Sequence, residues 1–461
     1  MRNFQIPGSA KMPLACGFSA AALLFPPVRS AEAATPGTLL GRTTAVHALT
    51  RGHSRKVVWE PVTRKYYAFW LEDFDSNPVP APGEGMVAQR TKNGNSWTPP
   101  AAIGFDEAGS TSFDVLADGG DLIALGLSVN AATGRPEYGV RRLDVGIDGS
   151  LTPGPFNAAY VNGVQPANDH FYGSLLKDTA GYYWIAARVG DASPGTHAEV
   201  IRSTQPDSFG AWGPAGCLGN ECTGAWTNPF AGMTLEQGTI APRLLDLGGF
   251  GVGVLAYNKN NVTPTIGQLV WSLNPTGGHA SWGAPLVLTT NANQEDNVNA
   301  TDPTRLDDRR FAAGIDPRTG VIHVAYISRD TTDSTNGTLR WFTLSPPYRT
   351  LADKSAEQVI VPAETDGVQV AIDAKANPSR VFVTYVENKY PNYEAKLIWY
   401  ERGVWTQPSK AMSVSGNVGK RRYPQMPAQI LKQRIPVLIE EDDGPNSWII
   451  RATSVRLPAS S

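Results

Sequence analysis

The sequence predicts an all-β fold, a single seven-bladed β-propeller of four-stranded blades whose ring is closed by an N-terminal strand joining the last blade. Composition is the first reason. The 461 residues include 46 glycines and 36 prolines, and only 18% are charged, against roughly 25% in ordinary globular chains, which favours many turns over long solvated helices. No stretch of about twelve residues carries a convincing 3.6-residue periodicity. The second reason is a repeat. From Arg55 onward one unit recurs seven times: a strand, a short turn rich in Asp, Gly, Pro and Asn, an aromatic-rich strand, a polar loop and a weaker hairpin. Units at spacings of roughly 55 to 70 residues with four short strands each are the mark of propeller blades. The third reason is a mismatch at the ends. The last unit offers three strands (Pro427 to Leu431, Ile435 to Glu440, Trp448 to Val455), and Leu39 to Leu49 is a strand with no neighbour of its own. Pairing them removes an exposed sheet edge.

Taken in order, residues 1–33 read as an export signal. Arg2 and Lys11 precede an apolar run from Met12 to Phe25, followed by Pro26-Pro27 and the small-residue site Ala31-Glu32-Ala33. The propeller domain is then 34–461, in a secreted or periplasmic protein. Cys16 lies inside the apolar run, so the processed chain keeps Cys217 and Cys222, expected to form one loop disulfide in an oxidising compartment. No other segment approaches the ~18 apolar residues of a membrane helix. A net charge of −2 and a pI near 6.3 give no bulk attraction to nucleic acid, and a monomer is expected.

The strand-turn-strand cores align as RKVVWEPVTRKYYAFWLED from Arg55, FDVLADGGDLIALGLSVN from Phe113, FYGSLLKDTAGYYWIAARVGD from Phe171 and PRLLDLGGFGVGVLAYNKN from Pro242. They continue as RFAAGIDPRTGVIHVAYISRD from Arg310, VQVAIDAKANPSRVFVTYVENK from Val368 and PQMPAQILKQRIPVLIEEDD from Pro424. Between the first two lies VAQRTKNGNSWTPP from Val87, a hairpin centred on Asn93-Gly94. Its polar turn, Gly94, and Trp97 three residues later resemble the Asp-box hairpin of the sialidase-like (BNR) propeller superfamily, with Lys92 at the motif's Asp position. The resemblance implies a propeller that acts on or binds glycans.

In a propeller, the loops before each innermost strand and after each second strand open on one face, so a site is assembled from one or two residues per blade. The repeat puts Arg55, Arg243, Arg310 and Arg422 at the starts of innermost strands, with Asp114 among them. Forked guanidinium donors converging there suit a carboxylate or sulfate on a sugar, and the arrangement resembles the arginine cluster of sialidases. Tyr385 and Glu387 stand two apart on one strand, hence on one face. They resemble the Tyr/Glu nucleophile pair of retaining sialidases. His170 with Tyr172 offers a base and an acid for β-elimination of a uronic acid, and looks like the chemistry of propeller polysaccharide lyases. No metal motif is present. The run Asn291 to Asp308 has oxygen ligands enough for calcium but no ordered spacing, so no cofactor is expected. Two functions stay open: an enzyme acting on an acidic polysaccharide or glycoconjugate, by glycoside hydrolysis or elimination, and a non-catalytic propeller that binds glycan or protein.

Overall fold

The structure, a computed structural model, describes residues 37–43, 49, 54–72, 85–105, 113–130, 132–160, 170–189, 197–213, 226–233, 239–258, 266–293, 311–328, 337–389, 392–411, 421–444 and 447–457. Residues 1–33, Cys217, Cys222, Arg310 and the acidic run from Glu295 to Asp308 lie outside the described residues.

The first strand, β1 (Thr38–Thr43), belongs to the last blade. The chain then builds blade 1 from β2 (Val57–Glu60), β3 (Lys65–Glu72), β4 (Gly85–Thr91) and β5 (Ala101–Ala102). Blade 2 comprises β6 (Asp114–Asp118), β7 (Asp121–Val129), β8 (Pro136–Val145) and β9 (Leu151–Ala158). Blade 3 comprises β10 (His170–Lys177), β11 (Tyr183–Val189) and β12 (His197–Arg202). Isolated bridges from Val200 to Thr227 and from Ser203 to Trp212 stand where its fourth strand would run. Blade 4 is β13 (Thr239–Asp246), β14 (Val252–Asn258), β15 (Ile266–Asn274) and β16 (Leu286–Asn293).

Blade 5 is β17 (Phe311–Ile315), β18 (Ile322–Ile327), β19 (Gly337–Leu344) and the first part of β20 (Gln358–Asp373), whose second part is the innermost strand of blade 6. Blade 6 continues through β21 (Arg380–Lys389), β22 (Asn392–Glu401), β23 (Val404–Trp405) and β24 (Ser409–Lys410). Blade 7 is β25 (Arg421–Gln425), β26 (Arg434–Gly444), β27 (Ser447–Arg456) and β1. Seven antiparallel blades follow one another, and the helical content of the described residues is two single 3₁₀ turns.

In blades 1, 3, 4, 5 and 6 the inner turn is organised in one way. A carboxylate ends or follows the innermost strand and accepts backbone N–H groups of the turn: Glu60 from Val62 at 2.6 Å, Asp178 from Ala180 at 2.9 Å, Asp246 from Gly248 at 3.0 Å, Asp316 from Arg318 at 3.0 Å and Asp373 from Lys375 at 3.2 Å. Such local bonds favour a tight reversal over continued strand. Second strands are buried on both faces, as in β11 and β14, because a blade packs against two neighbours. That is why they read as unbroken apolar and aromatic runs rather than alternating ones.

Ring closure follows the expected pairing, with β1 antiparallel to β27. The described strand is Thr38–Thr43, residues 44–48 lie outside the described residues, and the expected strand end Leu49 is not in a strand. Leu49 is a fully buried turn residue whose N–H donates to Glu440 Oε2 at 3.2 Å. Pro427 to Leu431 is not a strand: the innermost strand of blade 7 is β25, and two prolines in Pro424-Gln425-Met426-Pro427 remove ladder donors just where the strand would continue. The Asn93-Gly94 hairpin joins β4 to β5 and rides on the closure seam. Thr91 Oγ1 accepts the Gly94 N–H at 3.0 Å and Asn93 Oδ1 the Asn95 N–H at 3.0 Å, so these side chains organise the turn. Across the seam, Ser454 Oγ donates to Asn93 O at 2.7 Å.

Candidate active site

Innermost strands begin, and second strands end, on one rim of the ring. Below that rim, three blades meet on one carboxylate. Arg55 grips Asp114 with two prongs, Nε to Oδ1 at 3.0 Å and Nη2 to Oδ2 at 2.8 Å, and its own backbone N–H donates to Oδ1 at 2.6 Å. Arg243, from blade 4, brings Nη1 to 3.9 Å from Asp114 Oδ2. Blade 3 closes the group: the Leu175 N–H donates to Asp114 Oδ2 at 2.7 Å and the Leu175 carbonyl accepts from Arg55 Nη2. Asp114 is fully buried. Burial pushes its carboxyl up, but the charge and hydrogen bonds of Arg55, then Arg243 and the Leu175 N–H, hold it below the usual carboxylate range. Arg243 is pushed down to about 10 by its own burial and by Arg55, with Asp114 offsetting part. Two guanidinium groups therefore share one carboxylate in a dry place, a polar bridge across the inner strands of blades 1 to 4.

His170 stands higher. It opens β10, five residues before Leu175, on the order of 15 Å along an extended strand. Its Nε2 lies 3.1 Å from Glu199 Oε2, and the other oxygen of Glu199 lies 2.9 Å from His197 Nε2. The indole of Trp226 stacks on the His170 ring with centroids 3.9 Å apart and planes 26° from parallel, anchored by its own N–H to Ala159 O at 3.2 Å. Register explains the meeting. His170 pairs with Val189 and Val189 with His197, so the three share one cross-strand row, and Glu199 is two residues on and on the same face. Burial pushes the Glu199 carboxyl up, and hydrogen bonds and charge from His170 and His197 more than offset this, holding it at about 2. Tyr172 lies in the β-bulge of β10, between the pairs made by Phe171 and Ser174. Beside it, the Gly173 N–H donates to the buried Tyr138 hydroxyl at 2.7 Å, and a Cβ at Gly173 would collide with that tyrosine.

The arginines are not at equivalent heights. Counted back from the carboxylates that cap their inner turns, Glu60 and Asp246, Arg55 and Arg243 differ by two positions, so the pair converges from different levels. Arg422 lies on β25 opposite Glu440. Tyr385 and Glu387 are neighbours on one face of β21, but they sit in the packing between blades 5 and 6. Tyr385 is fully buried in the apolar cluster with Val368, Val383 and Ile398, and burial raises its phenol well above the usual value. Glu387 is nine-tenths buried and ion-paired with Lys396. A nucleophilic tyrosine needs the opposite environment, a lowered pKa or an adjacent base.

Glu199, His197 and Trp226 were not among the expected site residues. Among the described residues no group of three or more His, Cys, Asp or Glu side chains is arranged to hold a metal ion, and no helix is long and apolar enough to cross a membrane.

No protein-family model matches the chain, and no curated protein does. Solved structures do match in fold. The polysaccharide lyase Uly1 superposes with a TM-score of 0.51 at 10% identity, over 91% of each chain. An ulvan lyase of family PL25, solved with a GlcA(1-4)Rha3S unit, gives a TM-score of 0.43 at 10% identity over 93% of this chain and 84% of its own. The NanB sialidase from Streptococcus pneumoniae gives 0.39 at 12% identity over 92% and 70%. The likeness to the polysaccharide lyase Uly1 is one of fold.

Proposed function

We propose that this protein is a secreted carbohydrate-active enzyme that cleaves an acidic polysaccharide by β-elimination on the rim where β10 begins. The observation that carries this reading is His170: an imidazole held by a carboxylate on one nitrogen and stacked on an indole, at the start of an innermost strand. In the elimination, a base takes the proton α to the uronate carboxyl. The C–H electrons form the new double bond, and the glycosidic oxygen leaves with a proton from an acid. His170 is the base and Tyr172, two residues along the same strand, the acid. A carboxylate on the sugar needs a cationic partner, because charge builds on it as the proton leaves. We assign that partner to the arginines that the sequence repeat puts at strand starts, Arg310 and Arg422, since Arg55 and Arg243 already share Asp114 below the rim.

The fold shared with a solved polysaccharide lyase over 91% of both chains supports this reading. The hydrolase alternative through Tyr385 and Glu387 is disfavoured by the apolar burial of the tyrosine. A non-catalytic glycan-binding propeller is the second reading, and one fact favours it: His170 and Arg243 are both more than nine-tenths buried. The test is incubation with polysaccharides bearing uronate or sulfate, read by the ultraviolet absorbance of an unsaturated sugar end. Product from the wild type that disappears in His170→Ala supports elimination. Binding without any chain cleavage supports the second reading.

A further inference from the structure

We propose that Glu199 is the positioning residue of this site, one that fixes which nitrogen of His170 faces the substrate. The inference rests on the reading of His170 as the base, and deepens it. An ionised carboxylate only accepts hydrogen bonds, and Glu199 is held ionised between two histidines. Its Oε2 faces His170 Nε2 at 3.1 Å and its Oε1 faces His197 Nε2 at 2.9 Å, so both nitrogens must carry their protons. His170 is then locked as the Nε2–H tautomer, and Nδ1 is its basic atom. Rotation of the ring is limited by Trp226, stacked at 3.9 Å. One side chain selects the tautomer and another the plane, and a base needs both for its lone pair to meet a C–H bond. His197 has a separate part. It occupies the second oxygen of Glu199, so the carboxylate cannot swing away from His170 without abandoning a charge-assisted hydrogen bond. The backbone builds this in, since Glu199 and both histidines occupy one face of three adjacent strands.

The experiment uses the whole protein labelled with ¹⁵N at its six histidines, with His170 and His197 resonances assigned through His170→Ala and His197→Ala. At about pH 9, above the usual imidazole range, the wild type is expected to show His170 as a single Nε2–H tautomer, and Glu199→Gln as a mixture of both. With an acidic polysaccharide as substrate, Glu199→Gln is expected to lower kcat at least tenfold with KM changed less than about twofold, within the range a general base contributes. Glu199→Asp is expected to restore the tautomer and part of kcat. A wild-type Nδ1–H tautomer at His170 overturns the inference, whatever Glu199→Gln does. So does a Glu199→Gln protein that keeps full kcat. If the wild type shows the locked tautomer but cleaves no polysaccharide, the positioning role stands and the catalytic reading of His170 fails.

Discussion

Arg55 and Asp114 form a two-pronged ion pair across the boundary of blades 1 and 2, at 3.0 and 2.8 Å, with Asp114 wholly out of solvent. Removing one member of a buried pair strands the other, and here two guanidinium groups lean on one carboxylate. Asp114→Ala is therefore expected to destabilise the protein by roughly 3 to 5 kcal/mol, measured by urea unfolding. A change under about 1 kcal/mol, the range of a surface pair, would show that water reaches the bridge.

The closure seam gives a second expectation. Gly94 has φ +80°, and a Cβ there would sit 3.1 Å from Ser454 Cβ in the last blade. Gly94→Ala meets both a left-handed backbone and a crowded neighbour, and should cost about 1 to 2 kcal/mol. Thermal melting is the readout, and an unchanged midpoint would mean the hairpin does not bear on ring closure.

Acid should act in two separable windows. His323 is buried against Trp341, and burial lowers it from 6.5 to about 4, with Asp316 offsetting part. Below pH 6.5 the unfolded chain binds a proton that the folded one refuses, so stability falls from there to about pH 4. Glu199, held at about 2 against a usual 4.5, stabilises fully above pH 4.5, and that contribution is lost as pH falls toward 2. In urea titrations at stepped pH, His323→Gln should flatten the upper window and Glu199→Gln the lower one. Identical profiles for both variants and the wild type would refute the assignment.

Tyr385→Phe separates two chemistries. Its hydroxyl is buried with no hydrogen-bond partner among the described residues, so removing it should leave stability unchanged or slightly raised, as expected when an unpaired buried polar group is deleted. Cleavage activity should persist. Loss of activity with an intact fold would restore the hydrolase reading.

The blades were legible because a capping carboxylate marks the inner turn in five of the seven, with Glu60, Asp178, Asp246, Asp316 and Asp373 at the same place in the repeat. The candidate site was legible only in part. His170 could be singled out at a strand start, but its partners depend on register across β10, β11 and β12 and on Trp226 from a separate segment, and no local pattern encodes that. Tyr385 misled for a related reason. Alternation says that it shares a face with Glu387, yet a second strand buried on both sides gives no sign of which face meets solvent and which the next blade.

The most direct test of the central claim is the ultraviolet absorbance produced when wild-type protein and His170→Ala are each incubated with a uronate-bearing polysaccharide. The account expects a rising absorbance from an unsaturated, non-reducing sugar end with the wild type and none with His170→Ala, both proteins melting at similar temperatures. Chain cleavage without that absorbance, or equal absorbance from the His170 variant, would contradict it.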